Sequence, residues 1–273
     1  MGTGEDASDR AKDAARTTQG SSTLRRVARI GFVVLGVLHI LIGAAAISIG
    51  VGGGGKADQG GAMEQLRHSA IGGLVLVVVA TALAALAVWR IADAMLTSAA
   101  QDATKWGRRL KNLGIAAVYL VLAGIAVVYA VGGRADPSQS SQTLSARILS
   151  APGGEILLVV IGLTVVAVGG GFVVSAITRS FTKELRMPPG TRRAGIELFG
   201  VVGYLAKGVA VALTGVLFVI ASVTEDPHKA AGLDAALRGI TALPYGPALL
   251  CAVGAGLVAY GVFCIARARY ERM

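Results

Sequence analysis

The sequence predicts an all-α integral membrane protein with six transmembrane helices, and three observations support this fold class. The 273 residues are 54% hydrophobic and only 15% charged, with a mean hydropathy of +0.66, whereas soluble domains carry more charge at their surfaces. Long uncharged runs recur, each close to the ~20 residues that cross ~30 Å of hydrocarbon as a helix. These runs lack the period-2 alternation of barrel strands, so we expect helices.

The apolar runs define the predicted spans. They are Ile30–Val51, Ala70–Trp89, Asn112–Gly133, Ile156–Thr178, Leu198–Thr224 and Tyr245–Ala266. Only the fifth run contains a charge, Lys207. The preceding residues 1–24 are polar and charged and have no apolar segment of their own, which predicts a disordered cytoplasmic tail rather than a signal peptide.

The distribution of basic residues predicts the orientation. Nineteen of the 26 Lys and Arg residues fall in the N-terminal tail, the second and fourth loops and the C-terminus. Basic loops stay in the cytoplasm, so both termini should be cytoplasmic. The net charge of +10 then faces anionic lipid headgroups, which we expect as partners. The basic residues are divided among short loops with few aromatics, which argues against nucleic-acid binding.

The odd-numbered spans align without gaps as three copies of one pattern. Gly43, Gly124 and Gly215 coincide, as do Gly36, Ala117 and Gly208. A linker and a short amphipathic segment follow each odd span, and these segments are predicted as helices over Ala62–Ala70, Thr143–Leu149 and Leu233–Ile240. The chain therefore divides into repeats at residues 25–100, 101–190 and 191–273. Each repeat is a two-span hairpin, so the hairpins should be parallel and related by a pseudo-threefold axis along the membrane normal.

The repeat pattern resembles a bacterial membrane family known as domain of unknown function 1206. The third repeat carries the pattern best, as Gly203-Tyr204-Leu205-Ala206-Lys207-Gly208, and the first keeps Gly31-Phe32 and ends with Trp89-Arg90. The second repeat departs from the pattern, with Asn112 in place of the first glycine. The resemblance implies a multi-pass protein of the bacterial plasma membrane, and it implies no activity.

Lys207 and His39 are the first candidates for a functional role inside the membrane. The alignment places Lys207 about one turn inside the span, which favours snorkelling or a pair with Glu197 or a headgroup over a site role. Gly36, His39 and Gly43 share one helix face, so His39 should point into the bundle. The favoured interpretation is a neutral imidazole bonded to a Ser, Thr or Tyr of a neighbouring helix; the alternative is a titrating or ligand-contacting group.

Further candidates are weaker. Tyr119, Tyr204 and Tyr260 are the other candidate intramembrane polar positions. Trp89, Arg90 and Asp93 are predicted to form an interfacial anchor with an exposed ion pair. The glycines at 169–171 indicate close helix packing or a kink. Cys251 and Cys264 lie in one helix, roughly 20 Å apart, and cannot pair.

The sequence lacks any nucleophile–base set, metal-ligand spacing or nucleotide motif, so we expect no enzyme activity, no cofactor and no metal site. Two functions remain. The first is a structural or interaction component of the cell envelope with an unidentified membrane partner, favoured by the scarcity of intramembrane charge. The second is a small transporter or channel with a path along the pseudo-threefold axis. Its predicted lining is His39, Tyr119, Thr164, Ser175, Tyr204, Thr214 and Tyr260.

Overall fold

The regular structure is helical in a computed structural model of the chain, which describes residues 21–96 and 102–271. The helices in these ranges are α1 (Ser22–Gly50), α2 (Gln59–Arg67), α3 (Gly72–Leu96), α4 (Asp102–Ala130), α5 (Pro137–Leu149), α6 (Gly154–Thr178), α7 (Thr191–Val223), α8 (Gly232–Ile240) and α9 (Gly246–Tyr270). Short 3-10 helices lie at Ser180–Glu184 and Pro227–Lys229.

Six of these helices, α1, α3, α4, α6, α7 and α9, are long and apolar enough to cross a membrane, which confirms the predicted number of spans. Several helices extend past the apolar runs. Helix α7 begins at Thr191, before Leu198, and its first turns carry an Arg193–Glu197 ion pair of 2.8 Å. Helix α1 begins at Ser22, inside the predicted tail of residues 1–24; the rest of that tail, residues 1–20, lies outside the described residues.

The three short helices α2, α5 and α8 confirm the predicted amphipathic segments. Asp58 caps α2 by accepting a hydrogen bond from the Gly61 amide, and Asp136 caps α5 by accepting one from the Gln139 amide. Aspartate is a preferred N-cap residue because its carboxylate satisfies an amide with no partner in the helix. Helix α8 buries Ala236, Leu237 and Ile240 on its apolar face and lies within one residue of its predicted bounds. Helix α2 begins and ends three residues before its predicted bounds, and α5 begins six residues earlier than predicted.

The chain divides into two compact units. Of the described residues, one comprises 21–34, 69–96 and 102–133; the other comprises 35–68 and 134–271. In the first unit α3 packs on α4, and Gly31 of α1 lies against Ala82 and Leu86 of α3. The second unit holds the other short and long helices, with the C-terminal part of α1.

Paired glycines join α1 to α9 in the second unit. A Cβ added at Gly36 would lie 2.6 Å from the Gly261 carbonyl oxygen, and one added at Gly261 would lie 2.5 Å from the Gly36 carbonyl oxygen. Two turns away, Gly43 and Gly254 approach each other in the same reciprocal way, at 2.5 and 2.8 Å. No side chain fits at these four positions, so the two backbones are in direct contact.

The same arrangement recurs between α6 and α7. The added Cβ atoms of Gly169 and Gly208 would lie 2.7 and 2.8 Å from each other's carbonyl oxygens, and those of Gly162 and Gly215 would lie 2.9 and 2.7 Å away. The predicted close packing of the 169–171 glycines is therefore confirmed at Gly169. Around Gly170 and Gly171 an added Cβ would meet nothing within 4 Å.

The second repeat departs from the glycine alignment. Gly124 and Ala117 are exposed, and an added Cβ at Gly124 would meet nothing within 4 Å. Ala116 and Ala123, one residue earlier and also two turns apart, are 2% and 7% exposed instead. The buried small-residue face of α4 is thus shifted by one position, which the gapless alignment did not predict.

Candidate functional site: an aromatic–lysine cluster

The close packing of α7 on α9 positions Lys207 beside Tyr260. An added Cβ at Gly203 would lie 2.5 Å from the Tyr260 Cα atom, so the two backbones approach without intervening side chains. The Lys207 Nζ atom donates to the Tyr260 hydroxyl over 3.0 Å. The same nitrogen lies 4.3 Å from the Tyr260 ring centroid and 4.9 Å from that of Phe172. Aromatic faces carry negative potential, so these rings stabilise the ammonium group.

Lys207 lies near the middle of α7. It is the seventeenth of the 33 residues of α7, and it follows Leu198 by nine residues, a rise of about 13 Å. The predicted partner Glu197 instead accepts from Arg193 and Arg179.

His39 also contacts the Tyr260 ring. The two ring centroids are 4.7 Å apart with an interplanar angle of 62°, an edge-to-face contact. The His39 Nδ1–H group donates to the Leu35 carbonyl over 2.7 Å, because a carbonyl can only accept. The expected partner on a neighbouring helix was therefore wrong: the hydrogen bond stays within α1, and the neighbouring helix supplies a ring contact.

Tyr204 extends the aromatic group toward the end of α9. Its ring stacks on Phe181 at 5.0 Å and 14°, and meets Tyr260 edge-to-face at 5.4 Å and 75°. Phe263 packs against the Phe181, Tyr204 and Tyr260 rings. We call His39, Phe172, Phe181, Tyr204, Lys207, Tyr260 and Phe263 the aromatic–lysine cluster.

A buried ion-pair group adjoins this cluster at Arg267, which is 7% exposed. Its guanidinium binds Glu271 in a bidentate manner, with N–O distances of 2.6 and 2.9 Å, and it also binds Glu184. A further N–H group donates to the Tyr204 hydroxyl over 3.4 Å. The orientation prediction placed Arg267 among the basic residues of the C-terminus. The i, i+4 spacing of Arg267 and Glu271 could have predicted their ion pair. The pair with Glu184 could not be predicted, because Glu184 lies 83 residues away in the sequence.

The other candidate positions do not join the cluster. Tyr119 lies partly buried on α4 in the first compact unit. Thr164 and Thr214 bond to carbonyls of their own helices, and Ser175 bonds to Ser180 over 2.9 Å. Of the predicted pathway lining, the structure brings together three side chains: His39, Tyr204 and Tyr260.

The predicted anchor at Trp89 and Arg90 is buried rather than exposed. Trp89 is 7% and Arg90 8% exposed, and the nearest Arg90–Asp93 contact is 3.9 Å. Asp93 accepts a shorter hydrogen bond, 2.8 Å, from Asn112. The predicted Arg90–Asp93 ion pair is therefore present, but its arginine is buried rather than exposed.

A second polar group links the connecting segments of all three repeats. Lys56 pairs with Asp136 at 2.6 Å, and the Ala57 amide donates to Asp234 over 2.7 Å. Asp58 is 1% exposed; one oxygen binds the Gly61 amide and the other has no hydrogen-bond partner. Burial raises the pKa of Asp58, whereas the hydrogen bond from Lys56 lowers the pKa of Asp136. We call Lys56, Asp58, Asp136 and Asp234 the linker aspartate group.

The surfaces of the long helices fit a lipid environment. Helix α6 exposes large apolar side chains along its whole length, including Ile156 at 73% and Ile177 at 74%. Soluble proteins rarely present such continuous apolar surface. Six helices of this kind define a multi-pass helical membrane protein.

The chain belongs to the family described as Domain of Unknown Function (DUF1206), whose model matches three segments, residues 30–96, 111–179 and 202–271. These segments fit the tandem repeats. The chain is also similar to "Uncharacterized protein YxxB" of Bacillus subtilis (strain 168), with 29% identity over 265 residues that cover 92% of each chain. No solved structure matches the chain.

Proposed function

We propose that the protein is a non-catalytic structural or interaction component of the bacterial cell envelope, a rigid scaffold in the plasma membrane. The observation that carries this proposal is the set of reciprocal glycine contacts between α1 and α9 and between α6 and α7. Backbone contact at two levels of each pair leaves little freedom for the helices to slide or separate. A scaffold uses such rigidity to present fixed loops and a fixed lipid-facing surface to lipids and to a membrane partner protein.

The proposed orientation has both termini in the cytoplasm. The basic residues near the termini and in the second and fourth loops support it, since anionic headgroups attract them. The three short helices and the linker aspartate group then belong to the outer face.

The three hairpins are proposed to be parallel and related by a pseudo-threefold axis along the membrane normal. The spans are, in order, α1, α3, α4, α6, α7 and α9. Within each compact unit, an odd-numbered span packs on the even-numbered span that precedes it, and this common packing supports the proposal. In the first unit α4 packs on α3; in the second, α7 packs on α6, and α1 packs on α9. The contact of the first span with the sixth is the one that a cyclic arrangement of repeats requires.

Transport is the second candidate function, and Lys207 favours it. A lysine near the middle of a span is costly unless it serves a site, and intramembrane charges commonly mark transport pathways. The tightly packed glycine interfaces favour the scaffold over transport, because transporters move their helices against each other.

Complementation separates the two candidates. In a bacterium whose own family member is deleted, the chain should restore resistance to osmotic shock and detergents if it is an envelope scaffold. Lys207→Met keeps the side-chain length and removes the charge, so on the scaffold proposal it should restore resistance as well as the unchanged chain at equal membrane levels. Loss of rescue by Lys207→Met would favour transport. A deletion strain with an unaltered envelope would contradict the scaffold.

A further inference from the structure

We propose that Lys207 and the rings around it form an intramembrane binding site for an organic monocarboxylate, which goes beyond the proposed scaffold function. The starting observation is the single hydrogen bond of the Lys207 ammonium group, which goes to the neutral Tyr260 hydroxyl. In residues 21–96 and 102–271, no carboxylate forms an ion pair with Lys207.

The nearby carboxylates are bound elsewhere. Glu197 binds Arg179 and Arg193. Glu184 and Glu271 bind Arg267, which follows Tyr260 by seven residues on α9, about 10 Å along the helix axis. The groups shown beside the ammonium are the Tyr260 hydroxyl and the rings of Tyr260 and Phe172. A buried charge in such surroundings is stabilised by an opposite charge that binds beside it.

The charge and shape of the surroundings indicate the class of ligand. One ammonium group matches one negative charge, which fits a carboxylate better than a doubly charged phosphate. The rings beside the ammonium group are those of Tyr260 and Phe172, and the Tyr260 ring in turn contacts His39, Tyr204 and Phe263. Aromatic walls with one charged group fit a ligand with an apolar body and a single anionic head. Such a carboxylate comes either from a fatty acid in the bilayer or from an acid dissolved in water.

The test uses the full-length protein in nanodiscs of neutral lipid, with oleate and benzoate as probes of the two sources and chloride as the inorganic comparison. The dissociation constant is measured by calorimetry for the unchanged chain and for Lys207→Met. Lys207→Arg should keep binding, since it keeps the charge. Lys229→Met is the matched control, because Lys229 is exposed in the 3-10 helix Pro227–Lys229 and is not part of the cluster.

The proposal expects binding of oleate, benzoate or both, at least tenfold weaker in Lys207→Met and unchanged in Lys229→Met. Binding of oleate alone identifies the bilayer as the source, and binding of benzoate identifies the aqueous phase. If Lys207→Met does not fold, Lys207→Gln replaces it in the comparison. Equal affinity of the unchanged chain and the charge-removed variant would overturn the proposal, as would no binding of either acid. Chloride binding as tight as that of the acids would overturn the assigned ligand class.

Discussion

At the N-terminus of α2, one carboxylate lies buried among others of the same charge. Asp58 has Asp136 and Asp234 as acidic neighbours and Lys56 as the basic one, and Arg238 binds Asp234 at 2.8 Å. Burial is the largest cause of its raised pKa, and the neighbouring aspartates raise it further. A raised pKa in the folded state favours the protonated form, so the stability that Asp58 contributes is present at low pH and is lost as the pH rises through the folded value.

Replacing Asp58 with asparagine should therefore have an effect that depends on pH. Asparagine keeps the capping oxygen and does not titrate. The free energy of unfolding of Asp58→Asn, relative to the unchanged chain, should increase as the pH rises from 4 to 7, measured by denaturation in detergent.

Asp136→Asn is the control with the opposite sign. The lowered pKa of Asp136 means that its contribution is present at neutral pH and is lost as the pH falls through the folded value. This variant should lose a few tenths to about 1 kcal/mol at pH 7, because the Lys56 pair is exposed. Parallel pH profiles for the two variants would contradict the assignment of the two carboxylates.

Contacts between individual side chains of different helices were the features that the sequence predicted least well. The faces of α1 that carry Gly36, His39 and Gly43 could be predicted, because helical spacing fixes which residues share a face. The ring contact of His39 with Tyr260 joins positions 221 residues apart, and no local pattern encodes such a pairing. The depth of Lys207 in the membrane stays a prediction of the sequence.

The helix pairs give a prediction at the element scale. Gly43→Ala inserts a methyl group against the Gly254 carbonyl, 2.5 Å away, and should destabilise the protein by about 1–3 kcal/mol, the usual range for overpacking. Gly124→Ala is the matched control, since it occupies the equivalent column of the second repeat with nothing within 4 Å. It should be neutral or stabilise by up to ~1 kcal/mol, because alanine favours the helix.

Thermal denaturation in detergent measures both variants. Equal effects at the two glycines would show that the backbone contact of α1 and α9 is not what holds them together.

Arg267 ties the end of α9 to the 3-10 helix at Ser180–Glu184, which gives a second prediction at this scale. Arg267→Gln leaves Glu271, 7% exposed, without its bidentate partner, and removal of one member of a buried pair costs about 3–5 kcal/mol. Arg269→Gln, two residues along on an exposed position, should change stability by less than ~0.5 kcal/mol. Equal losses from the two substitutions in an unfolding experiment would contradict the structural role of Arg267.

For the whole molecule, composition predicted most of the architecture. Long apolar runs must form helices in a bilayer, since each backbone amide and carbonyl needs a partner within the span. The six spans and the three short helices followed from that requirement and from local spacing. The sequence did not predict that the buried small residues of α4 are Ala116 and Ala123 in place of Ala117 and Gly124. Both pairs are seven residues apart, so the spacing cannot distinguish them.

The account depends most on six crossings of the membrane with the short helices outside, and topology mapping tests this directly. Reporter fusions after Gly55, Ser138 and Asp226 should report the outside. Fusions after Gly107, Gly190 and Met273 should report the cytoplasm, because the basic loops lie there. The account predicts strict alternation of the six signals at normal expression. A single reversed loop would contradict it, since both the depth of Lys207 and the outer position of the linker aspartate group depend on this topology.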